Sequence, residues 1–395
     1  MNKQSLKNNS LFLFAYRFIK VISYNLLYGL PLYKIKYPHS TNQFLSENQK
    51  YKLVVSHKGG GGTASYVINK YGNTPNILFL ENVKTADKDY LYSLKNSDTN
   101  KQIYIRPAQL KKLMKLQKLK NIISEVHVIS IESYMSLEFI LNWFVNLNVP
   151  VEYDIHDFHC VWYEAHFFHS GKFLDDESLK KSVLKYVTRR ITFSQWHDIW
   201  NDFFKHVSKI NAFSKSSKEI FAKYYPGFAD LVQVTPHSLD YIQFEKVKSI
   251  PQKFCVGIFG AIFAEDKGCE VVRSFLEFSK DKDYQIYING QLRPDCMVSA
   301  PNIHYMGRYD VNKLNVIIEE QGISSVLFPS VCPETFSYTV SELIHAGIPI
   351  AAFNTGAQGE KVSEYEYGEI ITEQNNEKIL SSLKLAHQKA LNCLK

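Results

Sequence analysis

The feature that most constrains this chain is an alternation of short apolar segments with helical segments, which recurs in both halves. Near-continuous apolar strands separated by helices are typical of parallel sheets that are covered on both faces. The sequence therefore predicts an α/β fold. The predicted strands are, in order, 51–56, 77–80, 103–105, 126–131, 151–155, 254–259, 285–289, 325–328 and 348–353.

The chain of 395 residues is too long for one ordinary core and predicts two domains. We expect an N-terminal domain of residues 1–240, with a helical extension over 1–50, and a C-terminal domain of residues 241–375. A C-terminal helix over 376–395 is expected to pack back on the N-terminal domain. Because ligands of open parallel sheets bind beyond the carboxyl ends of the strands, a site in a cleft between two facing domains is expected.

Composition narrows the class of protein. Hydrophobic residues make up 45% and charged residues 22%, a balance that excludes disordered, collagenous and coiled-coil chains. The net charge of +7 is mild, and only seven of the 46 basic residues are Arg, which argues against nucleic acid as a partner. The six cysteines form no C-x-x-C pair, so neither a zinc site nor a disulfide framework is predicted.

The sequence also bears on location. It holds no run of about 18 uncharged apolar residues, so no membrane-spanning segment is predicted. The apolar stretch 11–16 is interrupted by Arg17 and Lys20 and lacks a small-residue cleavage site, so we expect an aromatic, basic helix over 6–28 rather than a signal peptide. A cytoplasmic protein is the expectation.

The most informative segment follows the strand that ends at Phe328, where a loop leads into a helix that begins near Ser337. Glu334 lies in the loop, and Glu342 lies one and a half turns inside the helix. A helix N-terminus presents unpaired N–H groups and partial positive charge, which suit a phosphate. Glu334 can accept hydrogen bonds from sugar hydroxyls, and Glu342 is placed to hold a ribose diol. The alternative interpretation is that Glu334 caps the helix and Glu342 is a solvated residue of the helix.

The whole string 328–349 resembles the E-x7-E region of the retaining glycosyltransferases of family 4, bacterial surface-polysaccharide type, which have the GT-B fold with two Rossmann-like domains. The resemblance implies that Glu334 is catalytic and contacts the transferred sugar, and that Glu342 binds the nucleotide ribose. Ser337 stands where many members have Gly. The donor-binding stretch, whose backbone amides meet the sugar and diphosphate, is Thr335, Phe336, Ser337, Tyr338 and Thr339.

The resemblance extends to the strand 254–259 and the turn after it. Gly260 and Lys267 match a family element that binds the donor, in which the lysine neutralises the leaving diphosphate. Ala261 stands where the family usually has an arginine, so one expected phosphate charge is missing. Arg308 is the candidate replacement.

Three further segments are similar to family segments. Residues 235–238 match a proline–histidine segment at the domain boundary, and residues 356–360 match the loop after the next strand. Residues 151–158 match a strand end whose histidine, here His156, is catalytic and faces the sugar and the acceptor. A histidine in that position is, by itself, more often a structural residue.

A glycine run follows the first strand. Gly60, Gly61 and Gly62 resemble the family's glycine loop and are predicted to bind the donor, because glycine lets backbone approach a diphosphate closely. The run lacks the ending of a P-loop and the spacing of a dinucleotide fingerprint. Ala64 and Ser65 stand where the subgroup often has Glu and Arg.

A metal site is not predicted. The two D-x-D tripeptides, 87–89 and 281–283, read as polar turns, and the second precedes its strand rather than following it. His159, His166 and His169 follow the predicted catalytic histidine without a metal-ligand spacing. We therefore expect no metal and no other cofactor.

Together the motifs imply a hexosyltransferase that moves a sugar from a nucleotide-diphosphate-sugar donor to a glycan acceptor, with retention of the anomeric configuration. The acceptor is expected to be lipid-linked, in the biosynthesis of O-antigen, capsule or another bacterial surface polysaccharide. Two alternatives stay open. One is a sugar-nucleotide epimerase or a phosphorylase on the same fold, and the other is a degenerate copy that only binds, which the departures at Ala261, Ala64 and Ser65 allow.

Peripheral contact with the inner face of the cytoplasmic membrane is also predicted. In the helix predicted over 107–123, four lysines form a basic stripe beside a row of leucines: Lys111, Lys112, Lys115 and Lys118. Each basic residue near an anionic surface contributes about 1 kcal/mol. Changing all four to Glu should release the protein from anionic vesicles in co-sedimentation at low salt. A wild-type protein that ignores these vesicles would show that the stripe is only a solvated helix face.

Overall fold

The computed structural model describes residues 45–46, 48–57, 61–84, 90–105, 110, 117–131, 137–169, 172–185 and 190–393. Among these residues, no helix is both long and apolar enough to cross a lipid bilayer. The predictions for the helix 6–28, for Gly60, for the tripeptide 87–89 and for the lysines within 111–116 fall outside the described residues, as does the side chain of Lys118.

The first part of the described chain contains both strands and helices. The strands are β1 (Tyr51–His57), β2 (Ile77–Lys84), β3 (Tyr90–Asn96), β4 (Gln102–Ile105), β5 (Ile123–Val128), β6 (Val151–Asp154), β7 (Phe168–His169), β8 (Lys172–Phe173), β9 (Val183–Lys185), β10 (Arg190–Thr192), β11 (Lys209–Ala212) and β12 (Val232–Val234). The helices are α1 (Gly61–Tyr71), α2 (Gln117–Ile122), α3 (Leu137–Asn146), α4 (Asp176–Lys181), α5 (Phe193–Phe204) and α6 (Lys215–Tyr224).

Strands β1 to β6 lie in one sheet in the order β6-β5-β1-β2-β3-β4. β1 pairs in parallel with β2 and with β5, and β5 pairs in parallel with β6. β3 is antiparallel to both β2 and β4. The expectation of a parallel sheet is therefore wrong at this edge, because the residues 85–89 between β2 and β3 are too few for a crossover connection.

The rest of the chain carries a second sheet. Its strands are β13 (Cys255–Ile262), β14 (Gln285–Leu292), β15 (Ile303–Gly307), β16 (Ser325–Phe328), β17 (Ile350–Phe353) and β18 (Gly368–Ile371). They run in the order β15-β14-β13-β16-β17-β18, and every pair is parallel. The helices are α7 (Cys269–Ser279), α8 (Leu314–Gln321), α9 (Tyr338–Ala346), α10 (Gly356–Glu364) and α11 (Asn376–Cys393).

The second sheet is buried on both faces, as its apolar strands predict. Successive side chains of a strand point to opposite faces, and β13 shows this directly. Val256 and Ile258 pack in one cluster with α7, and Cys255 and Phe259 pack in the other cluster with α8 and α9. The parallel second sheet and the helices on both of its faces confirm the predicted α/β class.

Two expectations for this part of the chain are wrong. Residues 356–360, expected as a loop, open the helix α10. The C-terminal helix α11 was expected to pack on the N-terminal domain, but its buried face lies on the second sheet. Ile379 and Leu383 join the cluster of α7, and Ala390 joins the cluster of α8 and α9.

The chain forms two compact units. The first comprises residues 1–154, 159–163 and 176–210, and the second comprises residues 155–158, 164–175 and 211–395. His156 thus belongs to the unit that carries the second sheet. The predicted domain boundaries at residues 240 and 375 stay a prediction.

Candidate functional site

The loop between β16 and α9, residues 329–337, leaves the carboxyl end of the second parallel sheet. This edge is where open parallel sheets bind their ligands. Glu334 lies in the loop, and Glu342 lies in the second turn of α9, as predicted.

A second loop, residues 263–268 after β13, lies against the first one. The backbone N–H of Val331 donates to the carbonyl oxygen of Asp266 at 3.0 Å. Gly268 has a φ of 82°, and a Cβ atom there would lie 2.0 Å from the carbonyl oxygen of Pro329. Because any larger residue would overlap this oxygen, the close approach of the two loops requires glycine.

This contact brings together the two charged residues that the sequence singles out. The Nζ atom of Lys267 lies 2.7 Å from Oε1 of Glu334. Burial alone would raise the pKa of Glu334, but the ammonium of Lys267 outweighs it and holds the pKa below its usual value. Burial lowers the pKa of Lys267, yet the carboxylate of Glu334 outweighs this and raises that pKa. Both groups are therefore charged at neutral pH.

Hydrogen bonds with the first turn of α10 fix the backbone of Glu334. Its N–H donates to Oε1 of Gln358 at 3.0 Å, and its carbonyl accepts from the N–H of Ala357 at 2.8 Å. A Cβ atom on Gly356 would lie 2.5 Å from the Glu334 nitrogen. Glu334 is thus held between two loops and a helix, so its carboxylate has a defined position.

Ser337 turns the chain into α9. It has a φ of 61° and a ψ of 82°, a left-handed conformation that costs a residue with a Cβ atom about 1–2 kcal/mol. Glycine adopts this conformation without that cost, which is consistent with the glycine that the resemblance implies at this position. Within the described residues, nothing accepts a hydrogen bond from the backbone N–H groups of Ser337, Tyr338 and Thr339. These groups are the free donors that a helix start offers an anion.

Glu342 is buried among tyrosines. The Tyr241 hydroxyl donates to its Oε1 atom at 2.6 Å. Burial raises the pKa of Glu342, and the hydrogen bond from Tyr241 opposes the rise. Burial, together with the charge of Glu342, also raises the pKa of Tyr309. The Glu342 carboxylate therefore has one side-chain donor, the Tyr241 hydroxyl.

His156 lies beside the same loop in the second unit. Its backbone carbonyl accepts from Oγ1 of Thr335 at 3.1 Å. Its ring lies 4.5 Å from the ring of Phe213 and is stacked 5.4 Å from the ring of His237, which in turn stacks on Tyr338 at 5.3 Å. The stack joins the start of α9 to the predicted catalytic histidine.

The structure thus gathers most of the predicted site residues within one unit. A Cβ atom on Gly260 would lie 4.0 Å from Oγ1 of Thr339, so Gly260 borders the start of α9. Gly61 and Gly62 open α1 in the first unit. Arg308, the candidate for the missing phosphate charge, is exposed on the turn after β15. The residues gathered are His156, Gly260, Lys267, Glu334, Thr335, Phe336, Ser337, Tyr338, Thr339 and Glu342.

Sequence reasoning missed two residues of this site. Tyr241 donates to Glu342 across a hundred residues of chain, and Lys361 on α10 donates to the carbonyl of Phe336 at 2.5 Å. The local sequence around Tyr241 and the local sequence around Lys361 do not predict these contacts. The proximity of Tyr241 to the predicted domain boundary was the one available signal.

The first unit holds a buried polar chain that the sequence analysis also missed. Nε2 of His127 on β5 lies 2.7 Å from Oδ1 of Asp154 on β6, and its Nδ1 atom bonds the Tyr71 hydroxyl. These contacts fasten α1, whose first residues are Gly61 and Gly62, to the sheet.

Two groups of potential metal ligands occur among the described residues, each with its ligand atoms within 4.8 Å of one another. They are His166, Asp266 and Cys332, and Cys269, Glu270 and Cys296. Each group has a fixed cation beside it. The charge of Lys267 acts on Cys332, and Arg293 bonds Glu270. These neighbours oppose the binding of a second cation.

Comparison with known proteins establishes the fold. The structure is similar to HepE from Anabaena in complex with UDP and glucose, with a TM-score of 0.56 and 12% identity over 87% of this chain and 92% of that one. It is similar to sucrose-phosphate synthase from Thermosynechococcus elongatus, with a TM-score of 0.54 and 12% identity over 87% and 94%. It is also similar to WaaB, a lipopolysaccharide outer core galactosyltransferase, with a TM-score of 0.53 and 13% identity over 87% of this chain and 91% of that one.

No family model matches the chain, and no curated protein matches it. At identities of 12–13%, the likeness to these structures shows the fold alone. It confirms the GT-B fold that the sequence resemblance implies.

The ion pair gives a prediction about stability. Lys267→Met leaves the Glu334 carboxylate buried without its cation, and because Lys267 is 36% exposed we expect a loss of about 1–2 kcal/mol in the free energy of unfolding at pH 7. The loss should shrink as the pH falls toward 4, since protonated Glu334 needs no cation. Adding Glu334→Gln should restore part of it.

Urea unfolding at both pH values measures these differences. Lys280→Met is the matched control, because Lys280 forms an exposed ion pair with Glu277 at 3.1 Å and its loss should change stability little. A Lys267→Met loss that is independent of pH and of Glu334→Gln would contradict the pairing.

Proposed function

We propose that the chain is a retaining glycosyltransferase that moves a sugar from a nucleotide-diphosphate-sugar donor to a glycan acceptor. The observation that carries the proposal is the ammonium of Lys267, paired with Glu334 beside the free N–H groups of residues 337–339. A fixed cation and a helix start together form a site for a diphosphate, and the adjacent carboxylate forms a site for sugar hydroxyls. The E-x7-E resemblance and the fold shared with HepE, solved with UDP and glucose, support the same function.

The diphosphate would accept hydrogen bonds from the N–H groups at the start of α9 and from Lys267. As the bond between the anomeric carbon and the phosphate oxygen breaks, negative charge develops on that oxygen. The helix dipole and the ammonium would stabilise this charge with little reorganisation, because the loops that carry them are already fixed. In this proposal these groups replace a divalent metal ion.

Glu334 would hold the sugar. When a diphosphate binds, it competes with Glu334 for the Lys267 ammonium, and the carboxylate then accepts from sugar hydroxyls. The acceptor hydroxyl attacks the anomeric carbon on the side from which the diphosphate leaves, and its proton passes to the departing phosphate oxygen, so the configuration is retained. His156 contacts the sugar and orients the acceptor.

Glu342 would bind the nucleotide ribose. Its carboxylate has one donor, the Tyr241 hydroxyl, and retains further lone pairs for the two ribose hydroxyls. A charged acceptor for a diol is worth more than a neutral one. This role fits a position in the second turn of the helix whose start takes the diphosphate.

The finer parts of the proposal rest on the sequence resemblance. They are a hexose as the transferred sugar, a lipid-linked acceptor, and a role in bacterial O-antigen, capsule or other surface-polysaccharide biosynthesis at the inner face of the cytoplasmic membrane. WaaB, which has the same fold, acts on the lipopolysaccharide outer core.

The role of Glu342 is tested by ligand binding. Glu342→Ala should weaken the best-binding nucleoside diphosphate by about 1.5–3 kcal/mol in calorimetry, with EDTA present, because the ribose hydroxyls lose a charged acceptor. The 2′,3′-dideoxy analogue should bind the wild type and Glu342→Ala about equally. Tyr241→Phe, which keeps the carboxylate, is the control and should retain most of the preference for the natural ribose.

Unchanged affinity of folded Glu342→Ala for the natural nucleotide would reject this placement. A protein that binds no nucleoside diphosphate from a panel of UDP, GDP, ADP and dTDP would reject the proposed function as a whole.

A further inference from the structure

Lys361 lies on α10 beneath the loop that leads into α9. Its Nζ atom donates to the carbonyl of Phe336 at 2.5 Å, to the carbonyl of Ser337 at 3.5 Å and to the hydroxyl of Ser341. The ammonium also lies 3.4 Å from the centroid of the Phe336 ring. All three of its N–H bonds are thus directed at the turn that starts the helix.

Within the described part of the chain, no carboxylate oxygen lies at ion-pair distance from the Lys361 ammonium. Glu334 pairs with Lys267, and Glu360 accepts from the backbone N–H groups of Lys215 and Ser216 at 3.2 and 2.7 Å. The two nearest acids, Glu360 and Glu334, are therefore both bonded to other groups, and neither forms an ion pair with Lys361.

Its position makes this charge costly. The first turn of a helix carries partial positive charge, so a cation there is disfavoured unless an anion joins it. Burial lowers the pKa of Lys361 to about 8, and Glu360 and Glu334, the charged groups that act on it, oppose the drop. A partly buried cation beside a positive helix end is the arrangement that a bound anion would stabilise.

The geometry also links Lys361 to the free donors. In a trans peptide, the carbonyl and the N–H point in opposite directions. By holding the carbonyls of Phe336 and Ser337, Lys361 fixes the two peptide planes that carry the N–H groups of Ser337 and Tyr338. These are among the N–H groups without an acceptor in the described residues. The same bonds stabilise the left-handed conformation of Ser337.

We propose that Lys361 is a positioning residue for the diphosphate of the donor: it sets the direction of the two free N–H groups, and its charge is balanced by the bound anion. The inference rests on the proposed function. It also gives the site a positive charge at a position other than Ala261, where the expected arginine is missing.

The test compares Lys361→Met with the wild type, using whichever of UDP, GDP, ADP and dTDP binds best and the matching uncharged nucleoside. Lys361→Met should bind the diphosphate roughly tenfold more weakly and the nucleoside within about twofold, because only the diphosphate uses the N–H groups and the charge. Lys389→Met is the control. Lys389 lies on α11 and donates to the carbonyl of Gly368 in β18 at 2.8 Å. Its loss should change neither affinity.

A second measurement does not depend on any variant. With a pKa of about 8, Lys361 is about half protonated at pH 8, and a bound anion raises its pKa. Binding of the diphosphate to the wild type at pH 8 should therefore take up a fraction of a proton, measured by calorimetry in buffers of different ionisation enthalpy. At pH 6.5 Lys361 is already protonated and contributes no uptake, and proton release from the terminal phosphate, whose pKa is about 6, is expected instead.

The outcomes separate the two proposals. If the wild type binds none of the four diphosphates, the proposed function fails and this inference falls with it. If the wild type binds one and Lys361→Met binds it equally, only the role of Lys361 is overturned. If Lys361→Met does not fold, as judged by circular dichroism, absence of proton uptake by the wild type at pH 8 overturns the same role.

Discussion

The ion pair between Lys267 and Glu334 is the interaction on which the rest of this site depends. It joins the loop after β13 to the loop before α9, and each loop is shaped to permit it. Gly268 allows the two backbones to approach, and Gly356 and Gln358 hold the backbone of Glu334. Because both groups are partly withdrawn from water, either one without the other would be an uncompensated charge. The pair therefore requires the whole loop arrangement to form together.

This arrangement concentrates features that an isolated fold would avoid. Ser337 adopts a left-handed conformation, Lys361 places a cation at a positive helix end, and three N–H groups have no acceptor among the described residues. Strain and unpaired polar groups of this kind persist where surrounding structure holds them, and they gather at functional sites. An anion bound at the start of α9 would pair with the N–H groups and with the cation, and the fixed turn at Ser337 directs those groups toward it. One bound ligand would therefore satisfy several separate groups at this site.

The sequence predicts the parts of this structure that are local. The four central strands of the second sheet, β14, β13, β16 and β17, were predictable because they are near-continuous apolar runs, whereas the edge strands β15 and β18 were missed. The positions of Glu334 and Glu342 followed from the strand that ends at Phe328. The antiparallel strand β3 was missed because its apolar residues are interrupted by Ser93 and Lys95. The contacts of Lys361 and Tyr241 were missed for another reason. They join elements that are distant in the chain, and no pattern within either segment encodes them.

We propose that the start of α9, Lys267 and Glu334 form the binding site of a sugar nucleotide. A crystal structure of the complex with a bound nucleoside diphosphate tests this proposal. We expect phosphate oxygens at about 3 Å from the N–H groups of Ser337 and Tyr338 and from Nζ of Lys267, with the ribose hydroxyls on Glu342. A nucleotide bound elsewhere, with these N–H groups facing water and the Lys267–Glu334 pair unchanged, would contradict it.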